Sequence, residues 1–312
     1  MSAARAQADL PGITILLSTF NGGKFLRAQL ESFLQQTYQN WTLFWRDDGS
    51  SDDTMTIMED FAASIGTNRC VKSASSGQHL GAAPSFLMLL SEVPTAQAVA
   101  FADQDDVWLP QKLQHAAIAL TEAGAMPMLY CARQILVDKD LRGTALSVLH
   151  GQPPVFPASL TQNIANGNTL VMNRRATELV NELTQPEGTV HDWWSYIVVS
   201  AAGGKIVFDP MPQVLYRLHK DNLIGCARPM PARAAAAMRR GPRIFMTMMR
   251  RHADALTNSA ARLSPQAQAD LNLIQAGLQD GFLRRFAALW NTRLRRRTLL
   301  ENLLFSYWFL TG

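Results

Sequence analysis

Apolar positions in the first 140 residues fall into two repeating kinds of block. Ile13–Ser18 is a short β-rich run, closed by the turn signal Asn21-Gly22-Gly23. Lys24–Gln36 instead places Phe25, Leu26, Leu30, Phe33 and Leu34 at helical spacing, which predicts an amphipathic helix. The alternation continues with a strand at Trp41–Arg46, the turn Asp47-Asp48-Gly49-Ser50, and a helix capped by Asp52 or Asp53 and running to about Ala63. A short run at Val71, a helix over Pro84–Leu90, an apolar run at Ala98–Ala102, a helix from Pro110 to Glu122 and a strand at Met128–Ala132 follow. Strands alternating with helices predict an α/β fold with a doubly wound, mostly parallel sheet, whose ligands bind outside the carboxyl ends of the strands.

After Gly151-Gln152-Pro153-Pro154 the pattern is mixed. Thr169–Asn173 reads as a strand, Arg175–Leu183 and Trp193–Ala201 as helices, and Lys205–Phe208 and Gln213–Tyr216 as short strands around Asp209-Pro210. Beyond Pro231 only helical spacing remains, and no internal repeat is visible. The chain therefore divides into a flexible N-terminus at 1–11, a main body at 12–226 and a helical C-terminal extension at 227–312.

Charge sharpens that division. The net charge is only +4, but residues 227–312 hold 14 arginines, no lysine and 4 acids, a local +10. The first 226 residues carry 15 basic and 21 acidic side chains, a local −6. A basic segment is thus appended to an acidic body, which argues against nucleic acid as the partner of that body. Three cysteines, Cys70, Cys131 and Cys226, lack metal-ligand spacing, which fits reduced thiols in a cytosolic setting. The first ten residues lack a signal-peptide core, and no apolar run reaches the roughly 18–20 residues a spanning helix needs.

The chemistry concentrates in Phe101-Ala102-Asp103-Gln104-Asp105-Asp106, where an apolar run ends in three carboxylates within four residues. Such a cluster is costly unless a cation neutralises it, and Mg2+ or Mn2+ takes oxygen ligands shared with substrate phosphates. The plainer reading is a turn with Asp106 as a helix cap and the other acids solvated. Neither familiar phosphate cradle is present: Ser18-Thr19-Phe20-Asn21-Gly22-Gly23-Lys24 lacks the dinucleotide spacing, and Gly23-Lys24 is followed by Phe25 rather than Ser or Thr. A carboxylate-held metal is then the more plausible way to handle a diphosphate.

Ordered motifs then resemble family 2 glycosyltransferases: Leu17–Gly22, Gln36-Thr37-Tyr38, Arg46–Asp52 and Ala102–Asp106, followed by the pair His191-Asp192-Trp193-Trp194 and Tyr216–Asn222. The last pair is similar to the bacterial, rhamnosyltransferase-like branch that builds surface polysaccharides. The resemblance covers roughly Gly12 to Gly225. It implies the GT-A fold over residues 12–226 and inverting transfer from a nucleotide-diphospho-sugar (UDP- or dTDP-linked, including dTDP-rhamnose) to a saccharide or lipid-linked acceptor. Residue roles follow from the match. Ser18, Thr19, Phe20, Asn21, Asp47, Asp48 and Asp103 stand where the family binds the nucleotide-sugar; Asp105, Asp103 and His219 stand at its Mg2+ or Mn2+ site. Asp192 matches the base that activates the acceptor, and Trp108, Trp193 and Trp194 are positioned for acceptor or sugar contact. Each role has a plainer counterpart: Asp47 and Asp48 as turn residues, Asp192 as an N-cap, the tryptophans as core, His219 as structural. His79-Leu80-Gly81 departs from the family's usual Asn-Leu-Gly, and Asn166-Gly167-Asn168 departs from its usual Gly-Cys.

The extension combines Arg284, Arg285, Arg293 and Arg295–Arg297 with Leu, Phe, Trp and Tyr, the composition of a helix lying on an anionic membrane. The corresponding expectation is a cytoplasmic protein, peripheral on the inner face of the plasma membrane, without a nucleic-acid partner. The competing functions are a sugar-1-phosphate nucleotidyltransferase, whose glycine-rich basic loop is missing here, and a non-catalytic nucleotide-sugar-binding scaffold.

Overall fold

A computed structural model describes residues 10–219, 242–279 and 281–311. Its centre is a sheet in the order β3-β2-β1-β4-β8-β6-β9-β5, with β7 paired to β6. These strands are β1 (Ile13–Thr19), β2 (Trp41–Asp47), β3 (Cys70–Lys72), β4 (Ala98–Ala102), β5 (Val107–Trp108), β6 (Met128–Val137), β7 (Gly143–Leu146), β8 (Val171–Asn173) and β9 (Lys205–Arg217). The run β3-β2-β1-β4 is parallel, with Ile13 opposite both Trp41 and Ala98 and Thr19 opposite Asp47. All five residues of β4 are buried, as expected of a strand covered on both faces.

The mostly parallel expectation holds for this half and for β6 beside β9, and fails between them. There β8 runs antiparallel to both β4 and β6, and β5 and β7 are antiparallel edge pieces. β8 is only three residues long and continues directly into a helix, so its sequence carries too few positions to reveal direction. The two short strands expected around Asp209-Pro210 are one 13-residue strand. Its register slips from Asp209 opposite Ala132 to Pro212 opposite Arg133, a bulge that accommodates two prolines unable to donate to the ladder.

Helices cover both faces. One face carries α1 (Gly23–Leu34), α2 (Thr54–Ile65) and α4 (Lys112–Thr121), which bury Leu26, Phe33, Ile57 and Leu113 against β1, β2 and β4. The other carries α3 (Ala82–Ser91), α5 (Arg174–Glu182) and α6 (His191–Ala201). Asn173 caps α5, its Oδ1 accepting the Ala176 N–H at 3.0 Å.

The extension is helical, as its spacing predicts: α7 (Pro242–Thr257), α8 (Pro265–Gln279), α9 (Phe282–Asn291) and α10 (Leu299–Thr311). Met246, Met249, Leu256, Ile274, Phe305 and Phe309 from these helices are buried in the same core cluster as Phe86, Trp194 and Ile197. Six such side chains contribute on the order of 10 kcal/mol of burial. The described helices are therefore packed on the sheet rather than tethered to it. The expected flexible segment at 1–11 falls, except for Leu10 and Pro11, outside the described residues, as does Cys226; Cys70 and Cys131 are buried free thiols, both held above the ordinary thiol range by burial.

Candidate active site

The carboxyl ends of β1, β2, β4 and β9 meet at one edge of the sheet, and the motif residues gather there. The β1 and β2 turns are built first. Asp47 accepts from the Thr19 hydroxyl at 2.9 Å, from the N–H groups of Gly49 and Ser50 at 2.9 and 2.7 Å, and from the Ser50 hydroxyl at 2.5 Å. Four donors saturate a carboxylate. Asp47 and Thr19 thus shape the turn, in which Gly49 takes φ 92°. Asn21, at φ 47°, ties the two turns together, its N–H donating to Ser50 Oγ and its Oδ1 accepting from the Ser51 N–H, both at 2.8 Å. Ser18 is half-buried beneath this loop, and Phe20 is exposed.

Asp48 is equally committed. It accepts from Arg46 Nη1 at 2.6 Å, the N–H groups of Leu80 and Gly81 at 2.7 and 2.8 Å and Ser85 Oγ at 2.9 Å, and His79 Nδ1 lies 3.0 Å from its Oδ2. Burial alone would raise its pKa, but these bonds outweigh it and hold the carboxyl below its ordinary range. Arg46, wholly buried, also donates to the carbonyls of Ser75 and Gln78 and to Ser85. Together the pair fastens the loop before α3 to the end of β2.

The acidic loop after β4 divides its labour. Gln104 exchanges two hydrogen bonds with the Phe20 backbone, both at 2.9 Å, pinning the loop to β1. Asp103 is half-buried and its carboxyl is pushed up to about 8, by burial first and then by the negative charges of Asp105 and Asp192. Asp105 Oδ2 lies 2.8 Å from His219 Nε2. Arg217 Nε donates to the Asp105 carbonyl at 2.7 Å while its guanidinium covers the Phe25 ring. Asp106 is not the cap of α4, whose N-cap is Gln111; it is buried between β9 and the loop before β8. Its Oδ1 accepts the Arg217 N–H at 3.0 Å and its Oδ2 accepts from Asn168 Nδ2. Asn168 Oδ1 accepts in turn from Gln134 Nε2 at 2.7 Å, and Gln134 Oε1 from Asn166 Nδ2 at 3.0 Å.

Asp192 closes the site from the other face of the sheet. It is the second residue of α6, whose N-cap is Val190, so the capping alternative does not describe it. Its Oδ2 accepts the Gly167 N–H at 2.9 Å, its Oδ1 the Trp193 N–H at 2.6 Å, and Asn163 also bonds it. Burial outweighs these bonds and lifts its pKa to about 6. His191 beside it stacks on Phe86 at 4.2 Å, and burial drops its pKa to about 3, so it is neutral.

The tryptophans are corrected most. Trp194 is fully buried against His252, and Trp108 lies between Phe33 and Lys112, whose Nζ sits 3.5 Å from its ring. Neither offers a face to a ligand. Trp193 is half-buried and its Nε1 donates to the Ser159 carbonyl at 2.8 Å, which fixes the ring against α7. Gln104, Ser85, Asn163 and Gln134 escaped the sequence reading; only Gln104 left a trace, as the middle residue of Asp103-Gln104-Asp105.

The sheet, with its acid-lined carboxyl edge, has the GT-A fold. The fold agrees with that of a solved structure, Staphylococcus aureus TarS 1-349 in complex with UDP-GlcNAc, at a TM-score of 0.60 and 17% identity over 88% of this chain and 72% of that one. Residues 14–144 match the Glycosyl transferase family 2 model. It is 24% identical over 221 residues to a dTDP-rhamnosyl transferase, RfbG, of Shigella flexneri, covering 67% of this chain and 73% of the relative. It is 33% identical over 105 residues to a UDP-Glc:α-D-GlcNAc-diphosphoundecaprenol β-1,3-glucosyltransferase, WfgD, of Escherichia coli, covering 33% of this chain and 38% of the relative. These findings favour the glycosyltransferase over the nucleotidyltransferase and the scaffold.

Proposed function

We propose that the chain transfers a sugar, with inversion, from a UDP- or dTDP-linked donor such as dTDP-rhamnose to a hydroxyl of a saccharide or lipid-linked acceptor during surface-polysaccharide synthesis. The observation that carries this reading is the approach of Asp192, poised near pH 6, to the Asp103–Asp105 pair across the carboxyl edge of the sheet. Inverting transfer needs a carboxylate that takes the acceptor proton from the side opposite the departing diphosphate. Asp192 is held for that by the Gly167 and Asn163 bonds. Asp47 and Asp48, from beneath, hold the loops that carry Ser18, Phe20 and Asn21 to the donor.

Among the described residues no trio of acidic, histidine or cysteine side chains forms a ready-made metal cage. The residues fit a shared one. Asp105 and His219 already face each other, Asp103 carries uncompensated carboxylate repulsion, and an oxygen-rich donor set completed by diphosphate suits Mg2+ or Mn2+. When bound there, such an ion supplies charge neutralisation to the leaving group. The experiment is release of nucleoside diphosphate from a panel of UDP-, dTDP- and GDP-sugars with a lipid-diphosphate acceptor. Release from UDP- or dTDP-sugars that depends on Mn2+ or Mg2+ is expected; release only from GDP-sugars, or equal release in chelator, refutes the reading.

The same reading places the protein on the cytoplasmic face of the plasma membrane as a peripheral protein. No described helix is long and apolar enough to cross a bilayer. In α9, Phe282, Leu283, Phe286 and Trp290 are exposed; in α10, Leu299, Leu300, Leu303 and Tyr307 are exposed. Each set has the spacing i, i+1, i+4, i+8, which at 3.6 residues per turn lies within about 100° of arc. Two helices that each turn an apolar stripe outward, joined by a segment bearing Arg293 and Arg295–Arg297, are matched to an anionic lipid surface.

A further inference from the structure

The segment between α9 and α10 carries Arg293, Arg295, Arg296 and Arg297, and its burial alternates along the chain. Leu294 is 2% exposed and Arg296 is half-buried, its guanidinium 6.0 Å from the Phe245 ring centre. Arg293, Arg295 and Arg297 are exposed. Alternate residues of an extended segment share a face, so these three stand on one outer face, about 7 Å between successive Cα atoms. Arg293 lies within electrostatic reach of Asp270 on α8. Among the described residues no carboxylate pairs with Arg295.

The segment is fastened to the body at several points. The Arg295 carbonyl accepts from Thr161 Oγ1 at 3.1 Å. Arg297 Nη2 donates to the Leu149 carbonyl at 3.0 Å, and its Nη1 meets His150. The Arg296 N–H donates to Asn302 Oδ1 at 2.9 Å, which ties the segment to α10. Thr161 is buried and stands two residues before Asn163, whose side chain bonds Asp192. Two such Cα atoms are at most about 7 Å apart, so the arginine face and the base hang from one short strip of chain. On the loop that Arg297 grips, Leu146, Val148, Leu149 and Val155 are exposed. Apolar surface therefore flanks the arginines from the body as well as from α10.

We propose that Arg295 and Arg293 hold the diphosphate of a saccharide-diphospholipid acceptor, with Arg297 as the anchor of the segment. The lipid lies along the exposed apolar side chains, and the sugar extends past Thr161 to Asp192. This rests on the transferase reading above and names the acceptor class within it. Arginine presents a planar fork of donors that meets phosphate oxygens two at a time. An anionic bilayer asks only for positive charge somewhere on the facing surface. An acceptor that must deliver one hydroxyl to one carboxylate needs its phosphates at a fixed distance from that carboxylate, because small misplacements of reacting groups are costly. A segment pinned to the strip that also carries Asn163 supplies that distance.

The test floats the full chain with neutral phosphatidylcholine vesicles that carry either undecaprenyl diphosphate or phosphatidylglycerol at matched surface charge. UDP and Mn2+ are present throughout to occupy the donor side. Wild type binds the diphosphate vesicles about tenfold more tightly than the phosphatidylglycerol vesicles, the worth of a charge-assisted hydrogen bond. Arg295→Gln removes that preference with the melting temperature unchanged, since the backbone carbonyl and not the side chain holds Thr161. Arg295→Lys keeps the charge, loses the fork and restores only part of the preference. In turnover, Arg295→Gln raises the KM for a lipid-diphosphate acceptor about tenfold and leaves the donor KM in place. Equal binding to the two kinds of vesicle, or a preference that survives Arg295→Gln, overturns the proposal and leaves a general anionic-membrane contact. A preference lost in Arg295→Gln, without transfer from any UDP- or dTDP-sugar, keeps the diphosphate site and removes the donor reading.

Discussion

Asp192 is held short of full ionisation by its own surroundings. Burial raises it to about 6 although three groups donate to it. The base works only when ionised, so activity rises as pH increases through about 6 and falls away below. An acid limb near 6 in the rate profile is the expected result; a limb near 4, the value of an unperturbed carboxylate, would show that Asp192 is not the titrating group. Asp192→Asn keeps the shape and removes the base, and should cost at least about 10²–10⁴-fold in turnover with nucleotide affinity unchanged. At this scale the sequence supplied identities better than roles. The motifs named the acids, but the acceptor capacity of Asp47 and Asp48 is consumed by Thr19, Ser50, Arg46 and Ser85, partners drawn from three separate segments. Likewise Trp108 and Trp194 sit beside charged motif residues in sequence, yet point into the core.

Among elements, the turn before β8 bears most directly on α6. A Cβ placed on Gly167 would meet His191 Nε2 at 3.0 Å and the Asp192 Cβ at 3.5 Å. Gly167→Ala therefore pushes the turn whose N–H holds the base. We expect turnover to fall about tenfold with the donor KM unchanged, as small misplacements of a reacting group do. Steady-state kinetics on the purified variant decide the matter, and an unchanged kcat would show that the turn yields without moving Asp192. The strands of the parallel half were legible because each is an apolar run bounded by a turn. β8 and β5 were not, since two or three residues show no period, and β9 was split by prolines that the bulge accommodates.

Over the whole molecule, the −6 body and +10 extension are joined through one core. Deleting the extension would strip Phe305 and Phe309 from that core, so membrane contact is better tested on the surface. Phe286→Glu, Trp290→Glu and Leu303→Glu together leave the core alone and reverse the character of both stripes. The full chain should float with anionic vesicles at low salt and less so with neutral ones; the triple variant should remain at the bottom of the gradient. Equal flotation by both proteins would remove these stripes as the contact. The sequence showed the basic bias of this region, but which faces of α9 and α10 look outward depended on how they pack.

The buried amides behind the acidic loop have a sense of direction. Asn166 gives to Gln134, Gln134 to Asn168, and Asn168 to Asp106, with Gln134 and Asn168 each using nitrogen forward and oxygen backward. The series is head-to-tail, so neither Gln134 nor Asn168 can turn over without setting like atoms against each other at both of its ends. The acid at one terminus thereby dictates the orientation of a side chain three links away, in the loop that also carries Gly167. Asp106 and the loop that carries Gly167 are thus the two ends of a single polarised wire, and a change at either end is felt at the other as a question of which way every amide faces.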